Sequence, residues 1–171
     1  MALSNTAVGK EQLIVPPIRV QELSLKLQFK TFPKAIDIVS IARVESAFKP
    51  GARNKESNGI MQVNGGSFEV SKNMIQGTRI LREYYLRLGS EKAAVMAYNI
   101  GIGNYKRGRF LINGDQYYSK FIQRRSNYVA YFKASNITRY NFGGRTLCSN
   151  LEYRPPRSSL LSNYWEARIR I

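Results

Sequence analysis

Residues 35–50 read AIDIVSIARVESAFKP. The mostly apolar run over residues 35–45 ends on a carboxylate, Glu45. Ile38, Ile41 and Ala42 fall near one face at helical spacing, and Glu45 follows Ile41 by four, so it shares that face. An acid on the apolar side of a core helix does not point at bulk water. Upstream, Thr31 is the expected N-cap and Pro33 suits a first turn. A solvated surface glutamate is the ordinary reading of such a residue. The alternative is a half-buried acid whose proton is used in chemistry.

The rest of the chain frames this helix. "NMIQGTRILREYYLRLG" (73–89) carries an i, i+4 stripe of Ile80, Tyr84 and Leu88, with Leu81 and Tyr85 beside it. Gly89 is a good helix-terminating residue, and Ser90 then caps "EKAAVMAYNIG" (91–101). So short a connection predicts a helical hairpin. "KPGARNKESNG" (49–59) and "NGGS" (64–67) are turn formers around the short apolar piece "IMQV". "GIGNYKRGRFLINGDQ" (101–116) reads as loop, and "YYSKFIQRRSNYVAYFKAS" (117–135) returns to helix with Phe121, Tyr128 and Phe132 at usable helical spacing. The expected division is an N-terminal arm over 1–30, a mainly α domain over 31–135, and an extended, docking-type tail over 136–171. "RVQELSLKLQF" (19–29), inside the arm, fits a short helix or a strand.

Composition narrows the chemistry. The chain has 171 residues and 43% apolar content, enough for one domain with a core. It has no histidine and a single cysteine, Cys148. Ser-His and Cys-His catalysis are excluded, and so are an intrachain disulfide and most zinc sites. No cofactor or metal is expected. Twenty-seven Lys and Arg face eleven Asp and Glu, a net charge of +16. Fourteen basic and eight acidic residues lie in 1–102, against thirteen and three in 103–171, so the excess rises toward the C-terminus. A polyanionic partner follows: nucleic acid, an anionic membrane or an acidic cell-wall polymer, among which charge does not choose. "GIGNYKRG" follows a helix and lacks a βαβ setting, so no specific nucleic-acid or phosphate site is expected. No stretch has the apolar length of a membrane span, and the first twenty residues do not read as a signal peptide.

Four pieces, weak singly, are specific in order: Glu45-Ser46 at a helix end, Gly59-Ile60-Met61-Gln62 after a turn-rich loop, Ala97-Tyr98-Asn99 with Gly101, and Tyr128 in "SNYV". Asn73 with Gly77 four later lies between them. Over about residues 32–132 the set resembles the soluble lytic transglycosylases, peptidoglycan-cleaving enzymes with a lysozyme-like fold. The resemblance implies a catalytic Glu45, acting first as acid at the β-1,4 bond between N-acetylmuramic acid and N-acetylglucosamine, then as base on the muramic C6 hydroxyl. It also implies that Ser46, Gln62, Tyr98, Asn99 and Tyr128 hold the sugar or orient Glu45, and that Met61 packs under the sugar. Only ten residues separate Gln62 from Asn73, where many members carry a longer, proline-containing loop.

A single acid is consistent with the spacing on the helix. Paired-carboxylate glycosidases hold their acids about 5–9.5 Å apart. Asp37 lies eight residues before Glu45, over roughly 10 Å along a helix. Glu56 and Glu69, in turn-rich segments, stay open as second acids. The family resemblance and the unremarkable N-terminus together lead to a phage enzyme as the expectation. It would be carried in the virion, act in the host periplasm or cell wall, and bind glycan strands, with other virion proteins docking on residues 1–30 and 136–171. A free endolysin, a water-using lysozyme and an inactive virion structural protein are the alternatives.

Overall fold

The computed structural model describes residues 13–109, 113–134, 139–142 and 145–148. The described chain is mainly helical: α1 (Ile18–Leu27), α2 (Ala35–Ser46), β1 (Ser57–Asn58), β2 (Val63–Asn64), α3 (Val70–Leu88), α4 (Glu91–Ile100), α5 (Ile102–Lys106), α6 (Asn113–Ala134), β3 (Arg139–Phe142) and β4 (Arg145–Cys148). β1 pairs antiparallel with β2, with Ser57 opposite Asn64. β3 pairs antiparallel with β4, with Arg139 opposite Cys148. This second pair is a short ordered piece within the stretch read as tail, whose remaining residues lie outside those described.

α2 is the core helix. Nine of its twelve residues are buried, so it is enclosed on nearly all sides and not merely along one stripe. Ile38, Ile41 and Ala42 have no exposed surface. α1 and α6 pack on α2, while α4 packs against both α3 and α6. Gly89 ends α3 in the left-handed conformation at φ 69°, and the Ser90 hydroxyl accepts from the Ala93 N–H. The α3–α4 hairpin read from Gly89-Ser90 is therefore present. The deepest line of α3 is Asn73, Met74, Gly77, Thr78 and Leu81. Ile80, Tyr84 and Leu88 flank it at half burial.

Three expectations need correction. Residues 13–30 are not an arm. α1 packs on α2 and α3, with Val20 and Ser24 inside, and the Tyr128 hydroxyl donates to the Ile14 carbonyl at 2.7 Å. Residues 1–12 lie outside those described. α2 starts at Ala35, not at Thr31. The Asp37 carboxylate takes up the Lys34 N–H at 2.8 Å from within the first turn, so no preceding hydroxyl is needed. Thr31 instead accepts from Arg82, whose guanidinium also donates to the Phe32 carbonyl. Finally, the segment read as loop over 101–116 contains the one-turn helix α5 and the start of α6.

Candidate active site

Glu45 occupies the last turn of α2, where the backbone reverses sharply. Ala47 and Phe48 both take positive φ, 52° and 66°. Left-handed non-glycine residues cost about 1–3 kcal/mol each and persist where surrounding packing fixes them. Here the turn folds Phe48 back into the core, 6.2 Å from the Tyr128 ring centroid. The chain beyond Glu45 is thereby pulled inward, leaving the carboxyl at the lip of the core.

The Glu45 side chain keeps a partial opening to solvent, but its carboxyl is largely enclosed. Burial raises its pKa from 4.5 to about 7. Against this, the Tyr117 hydroxyl donates to Oε1 at 2.5 Å, which favours the carboxylate. Tyr117 comes from α6. Its own pKa is driven far up, chiefly by burial and then by the Glu45 charge, so the phenol stays neutral and remains the donor. Tyr98 from α4 is likewise raised, by burial first and then by Glu45. Glu45 thus faces two neutral phenols from two helices.

The segment Gly59–Gln62 is fixed to this acid by a chain of polar contacts. Ser46, next to Glu45, donates its hydroxyl to the Ile60 carbonyl at 2.7 Å. The Tyr98 hydroxyl donates to the Met61 carbonyl at 2.8 Å. The Met61 N–H donates to Asn73 Oδ1 at 2.8 Å, and Asn73 Nδ2 donates to the carbonyls of Asn58 and Ser67. Asn73 has no exposed surface, so its amide is the internal clamp of the β1–β2 hairpin. Two glycines permit this closeness. Gly59 has φ +78°, and a Cβ there would stand 2.5 Å from Asn73 Nδ2. A Cβ at Gly77 would stand 2.8 Å from both the Met61 sulfur and the Tyr98 hydroxyl.

The sequence-derived residues do not all gather at Glu45. Glu45, Ser46, Met61 and Tyr98 are joined by the contacts above. Gln62 is half-buried, and its Nε2 donates to the carbonyls of Ala52 and Gly59, bracing the loop below the hairpin. Asn99 is exposed on α4. Two assignments change. Met61 has no exposed surface, so its side chain packs into the core and cannot lie against a sugar. Tyr128 is also wholly buried, its ring against Phe48 and Phe132 and its hydroxyl on Ile14. It holds the N-terminal segment and not a ligand.

Tyr117 is the residue that sequence reading missed. It stands eleven residues before Tyr128, three helical turns, so both lie on the same face of α6. Periodicity finds that face but not which rung meets Glu45. As for second acids, Glu56 and Glu69 are exposed, and Glu69 is engaged by Ser71 and Lys72. Asp37 is wholly buried and paired with Arg125, Nε to Oδ1 at 3.0 Å. Among the described residues, no three His, Cys, Asp or Glu side chains gather at a common point.

A carboxyl that titrates near neutrality, beside neutral hydrogen-bond donors, can give up a proton and take it back. No family model, curated protein or solved structure was found to match the chain.

Proposed function

We propose that this chain is a peptidoglycan lytic transglycosylase with Glu45 as its single acid–base group. The observation that carries the reading is the Glu45 carboxyl itself: enclosed at the end of a core helix, raised to about 7, and held by the Tyr117 phenol. The ordered pieces Glu45-Ser46, Gly59–Gln62 and Ala97–Asn99 add the resemblance to that family.

The reaction balances without water. Protonated Glu45 gives its proton to the glycosidic oxygen as the bond to the muramic C1 breaks, and N-acetylglucosamine leaves with a free 4-hydroxyl. The substrate's own 2-acetamido carbonyl supports the charge developing at C1. Glu45, now a carboxylate, is stabilised by the Tyr117 hydrogen bond. It then removes the proton of the muramic C6 hydroxyl as that oxygen bonds to C1 and closes the 1,6-anhydro ring. Glu45 ends protonated, ready for the next bond. A pKa near 7 suits a group that must be acid and base in turn. Gln62 and Asn99 are the polar side chains proposed to meet the sugar. Ser46, Met61 and Tyr98 hold the wall from behind.

The +16 charge favours residence on an anionic wall. Among the described residues no helix is long and apolar enough to cross a membrane. We further propose a phage virion component that opens the wall locally during genome delivery. Mass spectrometry of purified particles should detect the chain, and its absence would refute that placement. The activity is tested by digesting purified peptidoglycan with the wild type and with Glu45→Gln and identifying the muropeptides. Anhydro-muramic ends are expected from the wild type and not from the variant. Reducing ends from the wild type would make the protein a hydrolytic lysozyme. No product from either would remove the enzymatic reading.

A further inference from the structure

Two polar contacts join α2 to α6, and their spacing matches. Asp37 and Glu45 are eight residues apart on α2; Arg125 and Tyr117 are eight apart on α6. Asp37 pairs with Arg125 and Glu45 with Tyr117, so the helices run antiparallel with rungs about 12 Å apart. Midway on each helix stands an apolar residue with no exposed surface, Ile41 on α2 and Phe121 on α6, both in the same core.

We infer that the Asp37–Arg125 ion pair sets the register of α6 against α2 and so holds the Tyr117 phenol on Glu45, making Asp37 and Arg125 positioning residues for the site. Apolar packing around Ile41 and Phe121 is non-directional and tolerates small slips. Breaking the ion pair would leave the buried Asp37 charge unpaired, so the pair resists the same shifts. An axial shift of about 1.5 Å, the rise of one residue, without rotation would already take the Tyr117 hydroxyl out of hydrogen-bond reach of Glu45. Asp37 Oδ2 accepts the Lys34 N–H, and Arg125 Nε stands 3.0 Å from Oδ1 as an ion pair without hydrogen-bond geometry. Arg125 also reaches Glu91 on α4, Nη1 to Oε2 at 3.2 Å, and Lys92 on α4 pairs with Asp115 in the first turn of α6 at 2.9 Å. These contacts tie α6 to both neighbours. Buried ion pairs contribute little net stability, and fixing register is their best-attested use.

The groups facing Asp37 are Arg125, Glu91 and Lys34; those facing Glu45 are Tyr117 and Tyr98. The catalytic meaning of the inference rests on the proposed role of Glu45, but its test does not. In the full chain labelled with ¹³C at the glutamate carboxyls, the Glu45 signal is assigned by its loss in Glu45→Gln and titrated by NMR. Tyr117→Phe should move its midpoint up by about one pH unit, the size of a lost hydrogen bond to a charged acceptor. Arg125→Lys keeps the charge but not the two-armed grip, and should move the midpoint in the same direction. The variant with both changes should titrate like Tyr117→Phe alone. An unchanged midpoint in Arg125→Lys, with only the melting temperature lowered, would overturn the inference. So would additive shifts, which would mean that Arg125 acts on Glu45 without Tyr117. If Arg125→Lys does not fold, Asp37→Asn combined with Arg125→Gln removes both charges and takes its place. Wild-type inactivity on peptidoglycan would refute the proposed function and leave this titration to decide the register.

Discussion

Tyr117 and Glu45 are 72 residues apart in the chain and 2.5 Å apart in space, joined by a phenol that donates to a carboxylate. The phenol cannot share the negative charge, since burial and Glu45 itself hold its pKa far above the ordinary tyrosine value. Its effect is to draw the Glu45 pKa downward against a larger upward push from burial. Glu45 is left near 7 because burial is the larger effect and the phenol offsets only part of it.

Removing the phenol should upset that balance in a definite direction. In Tyr117→Phe, Glu45 loses support for its charged form, and its pKa rises above about 7. The alkaline limb of the pH–rate profile on peptidoglycan should move upward, and the turnover rate at neutral pH should fall about tenfold or more. A profile superimposable on that of the wild type would remove Tyr117 from the mechanism.

Glu45 should also weaken the fold. Its pKa is raised in the folded state, from 4.5 to about 7. The folded chain therefore binds its proton more tightly than the unfolded chain, and stability falls as pH rises from about 4.5 to 7. The penalty is absent below that window and complete above it, at most about 3 kcal/mol. Glu45→Gln should melt at a higher temperature than the wild type at pH 8 and at nearly the same temperature at pH 4. Equal melting temperatures at both pH values would mean that the carboxyl is not desolvated.

Gly77 is where α3 approaches the site wall most closely. Alanine is the better helix former by about 1 kcal/mol, but its Cβ would stand 2.8 Å from the Tyr98 hydroxyl and the Met61 sulfur. Overpacking costs about 1–3 kcal/mol. Gly77→Ala should lower stability in urea unfolding by about 1 kcal/mol. It should lower activity more than that loss explains, by displacing Tyr98 from the Met61 carbonyl. Full activity in a stable variant would show that the Tyr98 contact is dispensable.

Asn73 should behave as the clamp of the hairpin. Its loss in Asn73→Ala strips the buried Met61 N–H of its acceptor and two carbonyls of their donor. Exchange of the Met61 amide with deuterium should speed about a hundredfold, equivalent to about 3 kcal/mol of local protection. Unchanged exchange at Met61 would assign the rigidity of the hairpin elsewhere.

The sequence made the backbone of the site readable where a local rule governs it. Spacing alone put Glu45 on the buried face of α2, and Gly89-Ser90 announced the α3–α4 hairpin with its stop and start residues. The ordered motif also brought Ser46, Met61 and Tyr98 to the vicinity of Glu45. What it did not show depends on contacts remote in the chain. Tyr117 and Tyr128 have the same period, and only the pairing of α2 with α6 decides that Tyr117 reaches Glu45 while Tyr128 reaches Ile14. Met61 was misjudged for a similar reason, because a short apolar piece between turns does not reveal which way its side chain faces. α1 looked like an arm because its mixed periodicity hides the small inward set of Val20, Gln21 and Ser24.

In the proposed reaction Glu45 passes one proton out and back while the sugar's own hydroxyl closes the bond. Digestion of purified peptidoglycan in water enriched in ¹⁸O, followed by mass spectrometry of the muropeptides, tests it most directly. The expected products are 1,6-anhydro-muramic ends carrying no heavy oxygen, formed by the wild type and lost in Glu45→Gln. Reducing muramic ends carrying one ¹⁸O each would contradict the claim, because water would then have been the nucleophile.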